Sequence, residues 1–449
     1  MAPVYQSFGR TTSASRRAIP AQEAIRLLQT VPSGVSLLPY GNGRSYGDTC
    51  LNFEGTLVDM RTMNRILDFD AESGIIEAEA GTMLSDIIGH VAPHGFFPAV
   101  VPGTRHVTLG GAVANDIHGK NHHRRGTFGR HVVGLTLMRS DGIVYNCNAE
   151  RNSELFAATI GGMGLTGLIL TVSLRLMRVP SLMIEEKIRR FRSLSEYFEL
   201  AEEADRHNEY AVAWVDQLAV GGKAGRGLLI TGNHAASTGP TTARPGNFLS
   251  VPFQPPLNLL NRPFLRLFNE AYFRRKGRTE EMRATSAESF FFPLDSVAHW
   301  NRLYGPAGLM QHQSVIPAQA APKAIPQMME RARAAGQGSF LTVLKRFGAI
   351  ASPGILSFPR PGYTLTLDFS FKGTATRDLF TELDRITVEA GGAVNAYKDA
   401  RMSAETFAAS FPQWRRLARL RDPGFVSDFW NRTAMRLPRA DAGGAMAAE

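Results

Sequence analysis

The sequence predicts an α+β fold in two domains, and three observations carry that reading. The 449 residues suffice for two or three domains of roughly 150 residues each. Residues 1–180 read as short strands broken by turn signals, without the regular strand–helix repeat of a parallel α/β sheet. From 281 to 392, strands and helices alternate, and a helical tail follows. The expected division is a first domain over 1–180, completed by a returning segment 393–449, and a second over 181–392, a sheet with helices on one side.

Each element follows from local pattern. Gly55–Arg61 and Gly74–Ala80 have strand composition, with a turn and a further strand in Met63–Asp70. In Thr82–Ala92, Leu84, Ile87, Ile88 and Val91 share a helical face, and Thr82 is placed to cap it. Ser153–Ile160 reads as a short helix before a glycine cluster. Leu155–Leu174 is 20 residues without a charge, near the length of a membrane span. Its four glycines and three threonines favour a buried turn and strand instead.

In the second half, Leu194–Asn208 reads as helix, and Tyr210–Val215 and Gly227–Gly232 as strands. Residues 233–258 lose periodicity and read as a mobile surface loop. The following segment, 261–278, carries six basic residues and one acid among Phe264, Leu265, Leu267, Phe268, Tyr272 and Phe273. It suits either a membrane-surface helix or an ordinary helix with a cationic outer face. Further strands are expected at Phe290–Phe292, Met310–Ile316, Phe340–Lys345 and Tyr363–Phe369, and helices at Ala321–Ala335 and Asp378–Ala390. A capping start at Ser403–Thr406 and an arginine-rich stretch at 411–421 close the chain.

Composition narrows the function. With 44% hydrophobic and 20% charged residues, the chain is globular rather than disordered. The net charge of +10 favours an anionic partner. No nucleic-acid motif is present and the basic residues are dispersed outside 261–278 and 411–421, so nucleic acid is not the expected partner. Two cysteines, Cys50 and Cys147, make neither a disulfide framework nor a thiolate metal site and fit a reducing compartment. The N-terminal residues lack the apolar run of a secretory signal. A cytoplasmic enzyme, peripherally bound at the inner face of the plasma membrane, is the expectation.

Glycine is in excess, 43 residues, and eleven of them fall in three segments: 41–47, 103–119 and 161–167. The first, PYGNGRSYGD, follows an apolar run and is either a plain turn or a loop whose amides converge on a phosphate. It lacks the G-x-G-x-x-G spacing of a Rossmann turn and the lysine of a P-loop. The second, VPGTRHVTLGGAVANDIHG, allows backbone to approach a planar ligand and runs into Asn115, Asp116, His118, Lys120, Asn121, His122 and His123. Three histidines in six residues invite a zinc reading, but the loop context and the missing acid argue against metal. The third, GGMGLTGLI, is a glycine-rich turn feeding a strand.

Taken together, these segments resemble the FAD-binding (PCMH-type) domain of the vanillyl-alcohol oxidase / p-cresol methylhydroxylase superfamily. The strings GRSYGD, PGTR-x-VT-x-GGA, DIHGKNHH, GLTG, WNRLYGPAG and SFLTVLKRFG are similar to one family in particular, the decaprenylphosphoryl-β-D-ribose oxidases, over about residues 5–440. The resemblance implies FAD held by Pro39, Tyr40, Gly41, Asn42, Gly43, Arg44, Ser45, Tyr46, Gly47, Asp48 and Thr49. Gly103, Thr104, Thr108, Gly110, Gly111, Asn115, Ile117, His118, Ile169 and Asn395 would add contacts. Tyr46 stands where superfamily members often carry a flavin-linked histidine, which implies non-covalent FAD.

By the same resemblance, a hydride would pass from the ribose C2 of a polyprenyl-phosphate sugar to flavin N5, the first half of an epimerisation to arabinose completed by a short-chain reductase partner. Such an oxidation also needs a base and cations near the developing alkoxide. Lys398, His118 and Lys120 match the family's catalytic candidates. Trp214, Tyr304, Gln311, Gln313, Lys345, Phe347 and Asp368 match its substrate-pocket positions. The sequence departs from the family at Thr366, where the family has the cysteine that covalent inhibitors attack, and at Asn395, where it has a tyrosine. A soluble sugar, lactone or alditol oxidase of the same superfamily is the competing reading.

Overall fold

The computed structural model describes residues 5–12, 17–30, 34, 36–236, 249–276 and 282–438. Three short parallel strands, Arg17–Pro20, Thr56–Asp59 and Leu37–Tyr40, form a first sheet, with Thr56–Asp59 in the centre. A second sheet is antiparallel and runs in the order Ile66–Asp70, Ile75–Glu79, Leu168–Arg178, Val132–Met138 and Val144–Asn148, with Phe96–Pro98 beside Leu168–Arg178. The uncharged stretch 155–174 is therefore a buried helix end, a turn and a strand. Among the described residues, no helix is long and apolar enough to cross a membrane.

The third sheet has eight strands, in the order 283–286, 183–191, 227–234, 210–215, 343–347, 362–370, 309–316 and 393–394. Its neighbours are antiparallel, and strict alternation sorts its two faces. Ala213, Leu344, Leu365, Leu367 and Met310 point to helices Leu194–His207, Ala321–Ala334 and Thr374–Glu389 and build one core with them. In the last helix Leu379, Phe380, Leu383 and Ile386 make the buried stripe at helical spacing. The residues between, Trp214, Lys345, Thr366, Gln311 and Gln313, face a cavity instead. The sheet ends on Ala393–Val394, two residues past the expected boundary at 392.

The tail closes back on the first sheet. Leu37 donates its N–H to the Gly424 carbonyl and accepts from Val426 N–H, and the tail's Phe407, Trp414, Phe429 and Trp430 pack with Leu38 and Tyr40. Arg432 holds Asp48 (2.6 and 2.9 Å) and Asp399 (2.6 Å) together, which ties the first loop to the turn after Val394.

Several local expectations change. Phe290–Phe292 is not a strand: Ser286 accepts from Ser289 N–H and starts the helix Ala287–Phe291, whose aromatics pack on Tyr210 and Phe97. Thr82 does not cap the following helix: Met83 occupies the N-cap, and the Thr82 hydroxyl donates to the Arg65 carbonyl (3.3 Å). In the stretch expected to be a loop, Asn233 and His234 extend a strand and Leu249–Ser250 pairs with Val297–Ala298; residues 237–248 lie outside the described residues. The basic aromatic segment is a helix, Arg262–Lys276, and its last two positions also lie outside them.

Candidate active site

A cavity of about 1170 Å³ runs between the loop after Leu37–Tyr40, the 101–120 segment and the free face of the eight-stranded sheet. That volume exceeds the range of roughly 300–1,000 Å³ typical of small-molecule sites. One end is walled by backbone. The amides of Gly41, Asn42, Gly43, Arg44 and Ser45 donate to no protein acceptor among the described residues. Side chains fix the loop instead: Asn42 Nδ2 (2.8 Å) and Arg44 Nε (3.3 Å) both donate to the His106 carbonyl. A row of free amides beside a half-buried guanidinium is a cradle for an anion.

Gly41 and Gly47 are required by close approach. A Cβ at Gly41 would overlap Thr108 Oγ1, the hydroxyl that caps the helix Leu109–Ala114. A Cβ at Gly47 would overlap the Asp399 carbonyl. The turn carrying Asn115–His118 is held by Asp116. This buried carboxylate, at φ 41°, accepts from Ser352 Oγ (2.5 Å), Ser357 Oγ (2.6 Å) and Gly129 N–H (2.8 Å).

The other wall is polar and nearly free of carboxylates. His118 lies edge-on to Phe347 (4.8 Å) and contacts Gln313 Nε2 (3.0 Å) through Nε2 and Lys345 Nζ (3.5 Å) through Nδ1. Lys398 stands over the Tyr46 ring at 4.2 Å. Lys120 donates to the Phe290 carbonyl and sits 4.5 Å over that residue's ring. Burial lowers the pKa of Lys120 and Lys345 to about 7 each, with neighbouring lysines adding to the effect. Burial also lowers Lys398, opposed by the charge of Asp368. Burial drives His118 well below the ordinary imidazole value, and Lys345 acts in the same direction.

Most residues expected from sequence meet here. Pro39–Tyr46, Thr49, Gly103, Thr104, Thr108, Gly110, Gly111, Asn115, Ile117, His118, Lys120, Ile169, Trp214, Gln311, Gln313, Lys345 and Lys398 all line the cavity. Six do not. Gly47 and Asp48 turn away toward Asp399 and Arg432. Phe347 backs the His118 ring, and Asp368 accepts from Gln311. Tyr304 is buried near Tyr46 and Asp368. Asn395, expected at the flavin, is fully buried behind Gln313, to which it donates at 2.9 Å.

The histidine run does not gather. His122 lies tilted against Phe347 at 4.6 Å, and burial lowers its pKa to about 4. His123 turns to Asp205 and the Asn208 carbonyl. Sequence reasoning missed Phe8, His106, Asp295 and Trp300 in the lining. Phe8, Asp295 and Trp300 lie outside the glycine-rich segments, and only the fold brings them to the cleft; His106 lies within the second segment, at the open position of PGTR-x-VT.

The residues fit FAD: free amides and Arg44 suit a pyrophosphate, and the long cleft suits an extended dinucleotide. The donor set and the three lysines then define an FAD-dependent oxidoreductase acting on an alcohol group. Comparison with known proteins agrees. Residues 21–148 match the FAD binding domain family. The chain is 35% identical over 414 residues to the decaprenylphosphoryl-beta-D-ribose oxidase of Mycolicibacterium smegmatis, covering 89% of each protein. It is 33% identical to the L-gulonolactone oxidase of Mus musculus over 135 residues, 30% of each chain. It is 27% identical to cytokinin dehydrogenase 7 of Oryza sativa over 184 residues, 38% of this chain and 35% of that one. The chain belongs to the decaprenylphosphoryl-β-D-ribose oxidase family.

Proposed function

We propose that this enzyme oxidises the ribose 2-hydroxyl of a polyprenyl-phosphate ribose to the 2-keto sugar, with FAD held non-covalently. The observation that carries the reading is the set of three part-buried lysines, Lys120, Lys345 and Lys398, in one cleft. Such a site attracts an anionic substrate and stabilises a developing alkoxide. Oxidising a secondary alcohol removes a hydride from carbon and a proton from oxygen. FAD, when bound, supplies the two-electron acceptor. The protein must take the proton, and amines whose pKa is lowered toward neutrality are suited to it. We assign Lys398 and the His118–Lys345 pair to proton handling and orientation, and Gln311, Gln313 and Trp214 to the sugar. In this reading 1–180 with 393–449 hold the cofactor and 181–392 cover the substrate.

The roof of the cleft supports a lipid-linked substrate. The helix Arg262–Lys276 turns Phe268 and Tyr272 into the cavity. Its outer side exposes Leu267 (72%), Arg266, Arg274 and Arg275, with Phe253 and Leu257 exposed just before it. Apolar and cationic groups side by side suit an anionic membrane surface. We propose peripheral contact there, and a reductase that consumes the keto product. The deciding experiment is anaerobic flavin bleaching by a short-chain prenyl-phosphoribose, with product analysis. Bleaching by free pentitols or lactones instead would leave the soluble sugar oxidase as the correct reading.

A further inference from the structure

We infer that Asn395 is a positioning residue that fixes the tautomer of His118, acting through Gln313. The argument follows hydrogen-bond direction along one chain of contacts. The backbone N–H of Tyr397 can only donate, and it points at Asn395 at 3.2 Å. The atom facing it is therefore Oδ1, and the other branch of Asn395 is the amide nitrogen. That nitrogen donates to Gln313 at 2.9 Å, so this branch of Gln313 is the carbonyl oxygen. The remaining branch of Gln313 is NH₂. It donates to Thr364 Oγ1 at 3.1 Å and to His118 Nε2 at 3.0 Å.

Nε2 of His118 must then carry a lone pair, and a neutral ring holds its proton on Nδ1. Nδ1 faces Lys345 Nζ at 3.5 Å. Only an uncharged amine can accept from it. The surroundings favour that state. Asn395 and Gln313 are buried, at 0% and 3% exposure, so water does not compete for these bonds. Lys345 makes no ion pair among the described residues, and Lys398, Lys120 and His122 are the charged or titratable groups acting on the pair from neighbouring elements. One backbone N–H thus sets, three links away, which ring nitrogen of His118 carries the proton. Because the chain runs on direction alone, it is independent of the substrate assigned to the cleft.

Nitrogen NMR of the FAD-loaded protein labelled with ¹⁵N-histidine tests this, since protonated and unprotonated ring nitrogens give separate signals. His118→Gln assigns the signal by its loss. In the wild type, His118 is expected to carry its proton on Nδ1. In Asn395→Asp neither carboxylate oxygen can donate to Gln313, so the Gln313 amide turns over, its oxygen faces the ring, and the proton moves to Nε2. Gln313→Glu makes the same inversion at the next link, so the test does not depend on one variant folding. Asn395→Ala frees Gln313, and both tautomers should coexist. A wild-type His118 protonated on Nε2, or a folded Asn395→Asp or Gln313→Glu with the wild-type pattern, overturns the inference.

Discussion

Lys398 holds its amine 4.2 Å from the centroid of the Tyr46 ring, and the same two segments are joined by a backbone bond from Tyr46 N–H to the Tyr397 carbonyl (3.1 Å). The side chain is thus fixed against an aromatic face rather than against a carboxylate. Lys398→Ala is expected to slow substrate-dependent bleaching by about 10²–10⁴-fold, the range of a lost acid–base group, with the bound flavin spectrum unchanged. Tyr46→Phe keeps the face and should be nearly silent, whereas Tyr46→Leu should lose about 0.5–2 kcal/mol of the contact. Stopped-flow bleaching under anaerobic conditions reads all three.

Stability should depend on pH through Lys345. Its amine takes up a proton near 10.5 when unfolded but near 7 in the fold, because burial disfavours the ammonium. Between those values the unfolded chain binds more protons, so stability rises with pH across the window. The full penalty is present below about 7 and is gone by about 10.5. Lys345→Met should therefore raise Tm most at and below neutral pH, by on the order of a few kcal/mol of stability, with the gain fading toward pH 10.5. Thermal unfolding at a series of pH values checks it; a gain that stays constant would remove Lys345 as the cause.

Gly41 and Gly47 fail for different reasons. At Gly41 the obstacle is a side chain, Thr108. Gly41→Ala should weaken FAD binding by about tenfold or more, roughly 1.4 kcal/mol. Adding Thr108→Ala should recover part of it, less the lost cap of about 1 kcal/mol. At Gly47 the obstacle is the Asp399 backbone. Gly47→Ala should yield little folded protein. Flavin titration and soluble yield read the two cases.

Thr366 lines the cleft without a thiol. Of the two cysteines, Cys50 lines the cleft at the first loop, and Cys147 is buried with its thiol pushed up to about 11 by burial. Thr366→Cys is expected to acquire a covalent adduct at residue 366 with inhibitors that capture the family's cysteine. The wild type should form none there, as peptide mass spectrometry would show.

The outer face of Arg262–Lys276 should bind vesicles containing anionic lipid and release them as salt rises. Leu267→Asp with Phe264→Asp should abolish co-sedimentation while leaving turnover of a short-chain soluble substrate within about twofold, since both residues point to solvent. Equal vesicle binding by this variant would exclude the face.

Much of the cleft was legible in the sequence because its parts are local. The loop at 41–46 needs glycine where it passes Thr108, and that need appears as a motif. Gln311, Gln313 and Thr366 were legible only through strings that resemble a family; that they share one face follows from the register of strands 309–316 and 362–370. The FAD cradle and the cleft lysines were likewise legible through those strings. What only the tertiary structure decided are the partnerships between distant positions. Gln313 meets His118 across 195 residues, Lys345 meets it across 227, and Asn395 reaches Gln313 across 82. Hydrogen-bond direction has no periodicity to read, so Asn395 looked like a flavin contact until the fold placed it behind the glutamine.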